Sequence, residues 1–132
     1  METIKDETIP HIPDAELNVM LALWNSEKPM LIAEIAREIS KSYPCTKASV
    51  HILVDRLSKR GLVKIHRVEG PVVYKLVSPT VSVKDYRAAE GKRIVDKLYG
   101  GSWKTLLSSL IDADAIAANE LDKVKSILKT ED

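Results

Sequence analysis

Residues 46–77 read TKASVHILVDRLSKRGLVKIHRVEGPVVYKLV, and the hydrophobic period changes partway along them. Thr46 is a good N-cap. Val50, Leu53, Val54 and Leu57 then fall on one stripe of a helix. Lys59 and Arg60 complement the negative end of the helix dipole, and Gly61 supplies the left-handed residue that ends it. After Gly61 the apolar residues Leu62, Val63, Ile65 and Val68 mix with Lys64, His66 and Arg67, as in a half-buried strand. Glu69-Gly70-Pro71 reads as a turn, and Val72 to Val77 as a second strand. A helix running directly into a β-hairpin is the unit from which the rest of the fold is read.

Upstream, a helix is predicted from about Pro13 to Asn25. Pro13 suits its first turn, and Asp14 and Glu16 suit its positive end. Leu17, Met20, Leu21 and Trp24 are the predicted buried stripe. Ser26 to Pro29 forms a turn, and Met30-Leu31 a very short strand. Ile32, Ile35, Ala36 and Ile39 give a second helix ending near Ser40, and Pro44 stops its continuation. Residues 1–12 read as a loose lead-in.

Downstream, Ser78-Pro79-Thr80 closes the unit, and the remainder has helical periods. One helix is expected over Val83 to Tyr99, broken by Gly100-Gly101. Ser102 caps a second, burying Trp103, Leu106, Leu107, Leu110 and Ile111. Asp112 or Asp114 caps a third, with Ala117, Leu121, Val124 and Leu128 as a heptad-like seam. The fold class is therefore mainly α with a small β-hairpin wing (α+β). A winged helix-turn-helix domain, residues 1–79, precedes a helical dimerisation domain, residues 80–132. About 45 residues in three short helices cannot close an adequate core alone. Ile94, Leu98, Trp103, Leu106, Leu107, Leu110, Leu121, Val124 and Leu128 are accordingly the candidates for a homodimer interface.

The formal net charge of +1 conceals an asymmetry. Met1 to Ser40 holds three basic residues against eight acidic, Lys41 to Arg67 seven against one, and Glu69 to Asp132 ten of each. The one basic block thus falls on the third helix and the wing, where phosphates would be met. Opposite the buried stripe, that helix carries Ala48, Ile52, Asp55 and Lys59, flanked by Ser49, His51 and Arg56. An α-helix fits the major groove of double-stranded DNA. Ala48 and Ile52 could touch thymine methyls, Ser49 a base or phosphate, and His51 a guanine or phosphate. Lys47, Arg56 and Lys59 suit phosphates, as do Thr46 and the first helical amides. In the wing, Lys64, His66, Arg67 and Lys75 could reach the flanking backbone, whereas Glu69 is repelled by it.

Other function classes lack their residues. The histidines, His11, His51 and His66, have no metal-ligand spacing, and no nucleophile elbow, phosphate loop or zincin motif occurs. Neither an enzyme nor a cofactor or metal is expected. Cys45 is the single cysteine, which excludes an internal disulfide and fits a reducing cytoplasm. Neither a targeting segment nor a membrane span is evident. The serious alternative is a winged helix used as a protein-interaction module, which needs no basic recognition helix. A regulator of the MarR type would need helices at both ends for its dimer, and only about a dozen residues precede the first helix here.

Several stretches carry a family resemblance. Residues 12–24, IPDAELNVMLALW, resemble the opening helix of the penicillinase-repressor family, which includes the BlaI, MecI and CopY repressors. Residues 46–61 resemble its recognition helix. Ser78-Pro79, Asp85-Tyr86 and residues 98–102, LYGGS, resemble its junction and dimerisation region. The likeness runs from about Ile12 to Leu128. It implies a homodimeric repressor of a palindromic operator, with DNA contacts at Lys47, Ala48, Ser49, Ile52 and Arg56. Several members have Lys or Thr where this chain has Ala48 and Ile52, so the operator sequence does not carry over. Copper-responsive members bear C-terminal Cys-x-Cys motifs, and this chain has no cysteine after Cys45. Antibiotic-responsive members are inactivated by a protease at a bond matching Ser109–Leu110, where they have Asn and Phe.

Overall fold

The computed structural model describes residues 9–130; residues 1–8 of the expected lead-in lie outside them. The elements run α1 Asp14–Trp24, β1 Met30–Leu31, α2 Ile32–Ser40, α3 Lys47–Lys59, β2 Val63–Val68, β3 Tyr74–Pro79, α4 Val83–Leu98, α5 Trp103–Asp112 and α6 Ala118–Thr130. The expected fold class is what is found: helices with a small three-stranded antiparallel sheet, ordered β1-β3-β2. Met30 and Leu31 pair with Val77 and Leu76. On the other side of β3, Val63 pairs with Pro79 and the ladder ends at Val68 opposite Tyr74. The β1 pairing ties the start of α2 to the base of the wing, a long-range link that no local pattern announces.

Two compact units divide the chain, the first ending at Arg87 and the second beginning at Ala88. The core of the first is built from Val19, Met20 and Leu23 of α1, Ile35, Ala36 and Ile39 of α2, and Val50, Val54 and Leu57 of α3. Leu62, Val63 and Val77 of the wing, with Val81 and Tyr86, add to it, and so do Ile9 and Ile12, which are buried although residues 1–12 read as a loose lead-in. The expected boundary at Pro79 comes too early. Trp24 Nε1 donates to the Val81 carbonyl at 2.8 Å, and the Ile12 amide donates to the Tyr86 hydroxyl at 3.0 Å. The Trp24 and Tyr86 rings also lie 5.7 Å apart. The first turn of α4 therefore packs as part of the first unit.

The stripe expected on α1 is displaced. Glu16, Val19, Met20, Ala22 and Leu23 are the buried set, while Leu21 is 43% exposed. Glu16 occupies a core-facing position because it forms an ion pair with Arg60. A carboxylate on the buried face makes the neighbouring stripe look more apolar than the true one. The second strand of the wing also starts two residues later than expected. Val72 and Val73 belong to the tip loop, and Ser78-Pro79 extends β3 rather than closing the unit.

In the second unit, Ser102 caps α5 by accepting from the Thr105 amide at 3.2 Å. Gly100 and Gly101 take φ of 57° and 82°, which turns the chain out of α4. The expected cap of α6 by Asp112 or Asp114 does not form: Asp112 ends α5, Asp114 sits in the intervening turn at φ 53°, and α6 starts at Ala118. Lys92 Nζ donates to Asp96 Oδ2 at 2.6 Å on the solvent side of α4, and that hydrogen bond, reinforced by the carboxylate charge, holds the lysine above its ordinary pKa.

Candidate nucleic-acid interface

Helix α3, the expected recognition helix, is fixed at both ends by its own sequence. At its start, the Thr46 side chain accepts from the Ser49 amide at 3.1 Å, and Ser49 Oγ donates to the Thr46 carbonyl at 2.9 Å. At its end, the Gly61 amide bonds the Ser58 carbonyl and the Leu62 amide bonds the Leu57 carbonyl, both at 2.9 Å. This is the Schellman pattern, and Gly61 at φ 75° supplies the left-handed position it requires. Val50, Val54 and Leu57 bury one face of α3 against the core. With ends and one face fixed, the opposite face is presented rigidly.

That face carries the expected residues. Lys47, Ala48, His51, Ile52, Asp55, Arg56 and Lys59 are all exposed. Ile52 is 54% exposed although apolar, and from that face its side chain could meet a thymine methyl. Ser49 differs: it is half-buried and its hydroxyl is engaged in the cap. Thr46 is exposed, with its side chain engaged in the same cap.

The wing divides its basic residues between two faces. Alternation along β2 places Val63, Ile65 and Arg67 on one side of the sheet and Lys64 and His66 on the other. The register sets Arg67 opposite Lys75 and His66 opposite Leu76. Arg67 and Lys75 thus continue beyond the core toward α3, where they line a cleft of about 530 Å³ together with Lys47 and His51. Lys64 is exposed on the other face and does not line this cleft. Arg67 Nε also donates to Glu69 Oε1 at 2.7 Å, so the acidic tip residue is partly matched. The first residues of α2 form a wall of the same cleft. Sequence reading misses that wall, and its only signal is the short strand Met30-Leu31, whose register partners are Val77 and Leu76.

The residues expected at a dimer interface are not buried within one chain. Leu98 is 72% exposed, Ile94 and Trp103 are also exposed, and Leu106, Leu107, Leu110, Leu121, Val124 and Leu128 are half-buried. No residue of α5 is buried within one chain. Two short helices offer too little surface to cover each other.

Among the described residues no group of three or more His, Cys, Asp or Glu could hold a metal ion, and no helix is long and apolar enough to cross a membrane. A family model described as penicillinase repressor matches residues 12–130. The penicillinase repressor of Bacillus licheniformis is 25% identical over 121 residues, covering 92% of this chain and 91% of that protein. The penicillinase repressor of Staphylococcus aureus is 27% identical over 114 residues, covering 86% and 87%. A solved structure of monomeric Bacillus licheniformis BlaI in complex with the blaP half-operator is 32% identical, covering 59% of this chain and 90% of that one, with a TM-score of 0.47.

Proposed function

Because the chain belongs to the penicillinase repressor family and is accordingly a DNA-binding transcriptional repressor, we propose that it binds a palindromic operator as a homodimer. The observation that carries this reading is α3. Its ends are capped, one face is buried, and the other exposes Ala48, His51, Ile52, Arg56 and Lys59. In the proposed complex Ala48 and Ile52 meet base edges, and Lys47, His51, Arg56 and Lys59 meet phosphates. Thr46 and Ser49 hold the helix start, where its first amides face the backbone. Arg67 and Lys64 serve the flanking backbone from opposite faces of the wing.

The dimer is supported by the unburied apolar residues of α4, α5 and α6. A single winged helix offers one small interface. Joining two makes the second binding event intramolecular, with a gain of about 10²–10⁴ in affinity. Anything that parts the chains removes that gain without touching α3. Cleavage at Ser109–Leu110 is not the favoured route, because the bond lies inside α5 and Ser109 Oγ donates to the Leu106 carbonyl at 2.8 Å. A protease would have to unwind the helix first.

The test is selection of bound duplexes from a random pool by the full chain. The expected product is a near-palindrome whose half-sites lie one helical turn, or a multiple of it, apart. Recovery of an asymmetric single site, or of no preferred sequence, would overturn the proposal.

A further inference from the structure

We propose that the cleft between α3 and the wing seats a single phosphate of the DNA backbone, gripped by Lys47 and His51 from the helix and by Arg67 and Lys75 from the wing. The inference rests on the DNA-binding reading above and names the work of residues within it. Three elements contribute the four groups, and the register makes their proximity costly in the free protein. Arg67 and Lys75 are direct cross-strand partners, and like charges so placed repel. Lys47 and His51 stand one turn apart on the same face of α3. Glu69 offsets Arg67 alone, across a contact exposed to water. Glu34, the acidic residue of the first turn of α2, accepts from the Leu31 amide at 2.8 Å and is already engaged.

An anion resolves this arrangement. A phosphodiester offers two free oxygens and one negative charge, and a guanidinium can meet both oxygens at once. The cleft, at about 530 Å³, is larger than a phosphate needs, and its remaining walls include Ile32 and Tyr74. Those apolar surfaces suit the deoxyriboses on either side. The DNA backbone is the favoured source because the cleft adjoins the reading face of α3 and His51 belongs to both. The strand that borders the major groove beside α3 is thereby clamped between helix and wing.

A scan of neutral methylphosphonate linkages through the selected operator tests the seat. One linkage in each half-site should weaken binding by the full chain. At that linkage K47Q and K75Q should cause no further loss, although both weaken binding to the charged duplex. The salt dependence of K47Q/K75Q should flatten by no more than about 0.9 per half-site, the value for one phosphate, because Arg67 still meets it. Separate phosphates would give about twice that, together with two coupled linkages, and would overturn the single seat. K75Q should leave the melting temperature of the free protein unchanged or raised, because it removes repulsion from Arg67. A fall would make the lysine structural and overturn its assignment. Thymidine monophosphate, titrated without DNA, should show no saturable binding that K75Q abolishes. Such binding without a coupled linkage would make a small phosphorylated molecule the occupant instead. Failure of the unaltered chain to bind any duplex would overturn the DNA-binding reading itself and the seat with it.

Discussion

Glu16 of α1 is paired with Arg60 at the C-cap of α3, and it is a buried charge in the core of the first unit. Arg60 also donates through Nη1 to the His11 carbonyl at 3.4 Å. The C-terminal end of the recognition helix is thus held to the start of α1 by an ionic contact, whereas its middle is held by apolar packing. A positively charged residue in the basic block here has a structural partner and is not counted among the phosphate contacts.

Arg60→Ala is expected to destabilise the protein by about 2–4 kcal/mol, because it leaves a carboxylate buried without its counter-charge. Glu16→Gln should cost less, since a neutral amide tolerates the same site. Urea unfolding of the two variants measures the difference, which should appear in the midpoint with an unchanged slope. Equal and small effects would show that the pair contributes little.

The boundary between the units has a direct stability consequence. A chain ending after Pro79 loses buried Val81 and the Tyr86 hydroxyl that accepts from Ile12, and it strands the Trp24 indole N–H. It is expected to be about 3–5 kcal/mol less stable than a chain ending after Arg87, on the scale of deleting large core side chains. Thermal unfolding of both truncations decides this, and equal melting temperatures would return the boundary to Pro79.

On α3, Arg56→Ala and Lys59→Ala are expected to weaken binding to all duplexes and to reduce the salt slope by about 0.9 for each phosphate they cease to neutralise. Changes at Ala48 or Ile52 should instead alter base preference, by about 1–3 kcal/mol for the base pair concerned, with non-specific affinity preserved. Anisotropy titrations at several salt concentrations separate the two behaviours. An Arg56→Ala chain with unaltered affinity and slope would refute the placement of α3 in the groove.

Leu98→Glu places a charge on a side chain that is 72% exposed in one chain. It is expected to leave the fold of each unit intact and to yield monomers in gel filtration coupled to light scattering. Operator affinity should fall by about 10²–10⁴, with the same preferences inside one half-site. A mass unchanged from that of the unaltered chain would remove Leu98 from the proposed interface.

The recognition helix is legible in the sequence because its signals are local: Thr46 and Gly61 mark its ends and Val50, Val54 and Leu57 its buried face. The buried face of α1 is not, because Glu16 satisfies its charge through a residue 44 positions away, a relation no helical period contains. Val72 and Val73 have strong strand preferences, yet the ladder closes where Val68 meets Tyr74 and leaves both valines in the loop. The basic face of α3 is readable from charge and spacing. The cleft is not, because it forms only when β1 brings α2 against β3. The apolar residues of α5 and α6 reveal an unburied surface in the sequence, but a periodic stripe does not say whether its cover lies in the same chain.

The order β1-β3-β2 leaves β2 as an edge strand. Its backbone groups on the outer side are a template for pairing with another strand, the usual route from a folded chain to an insoluble one. Lys64, His66 and Arg67 punctuate that edge with basic side chains, all exposed. The same side chains that would approach a phosphate backbone therefore also keep molecules from stacking edge to edge, since two such strands meeting would bring their cations together. Erasing the wing's charge removes both properties at once. A wing selected for weaker DNA contact is thereby pushed toward aggregation, so retaining these residues serves solubility even where the operator makes no demand on them.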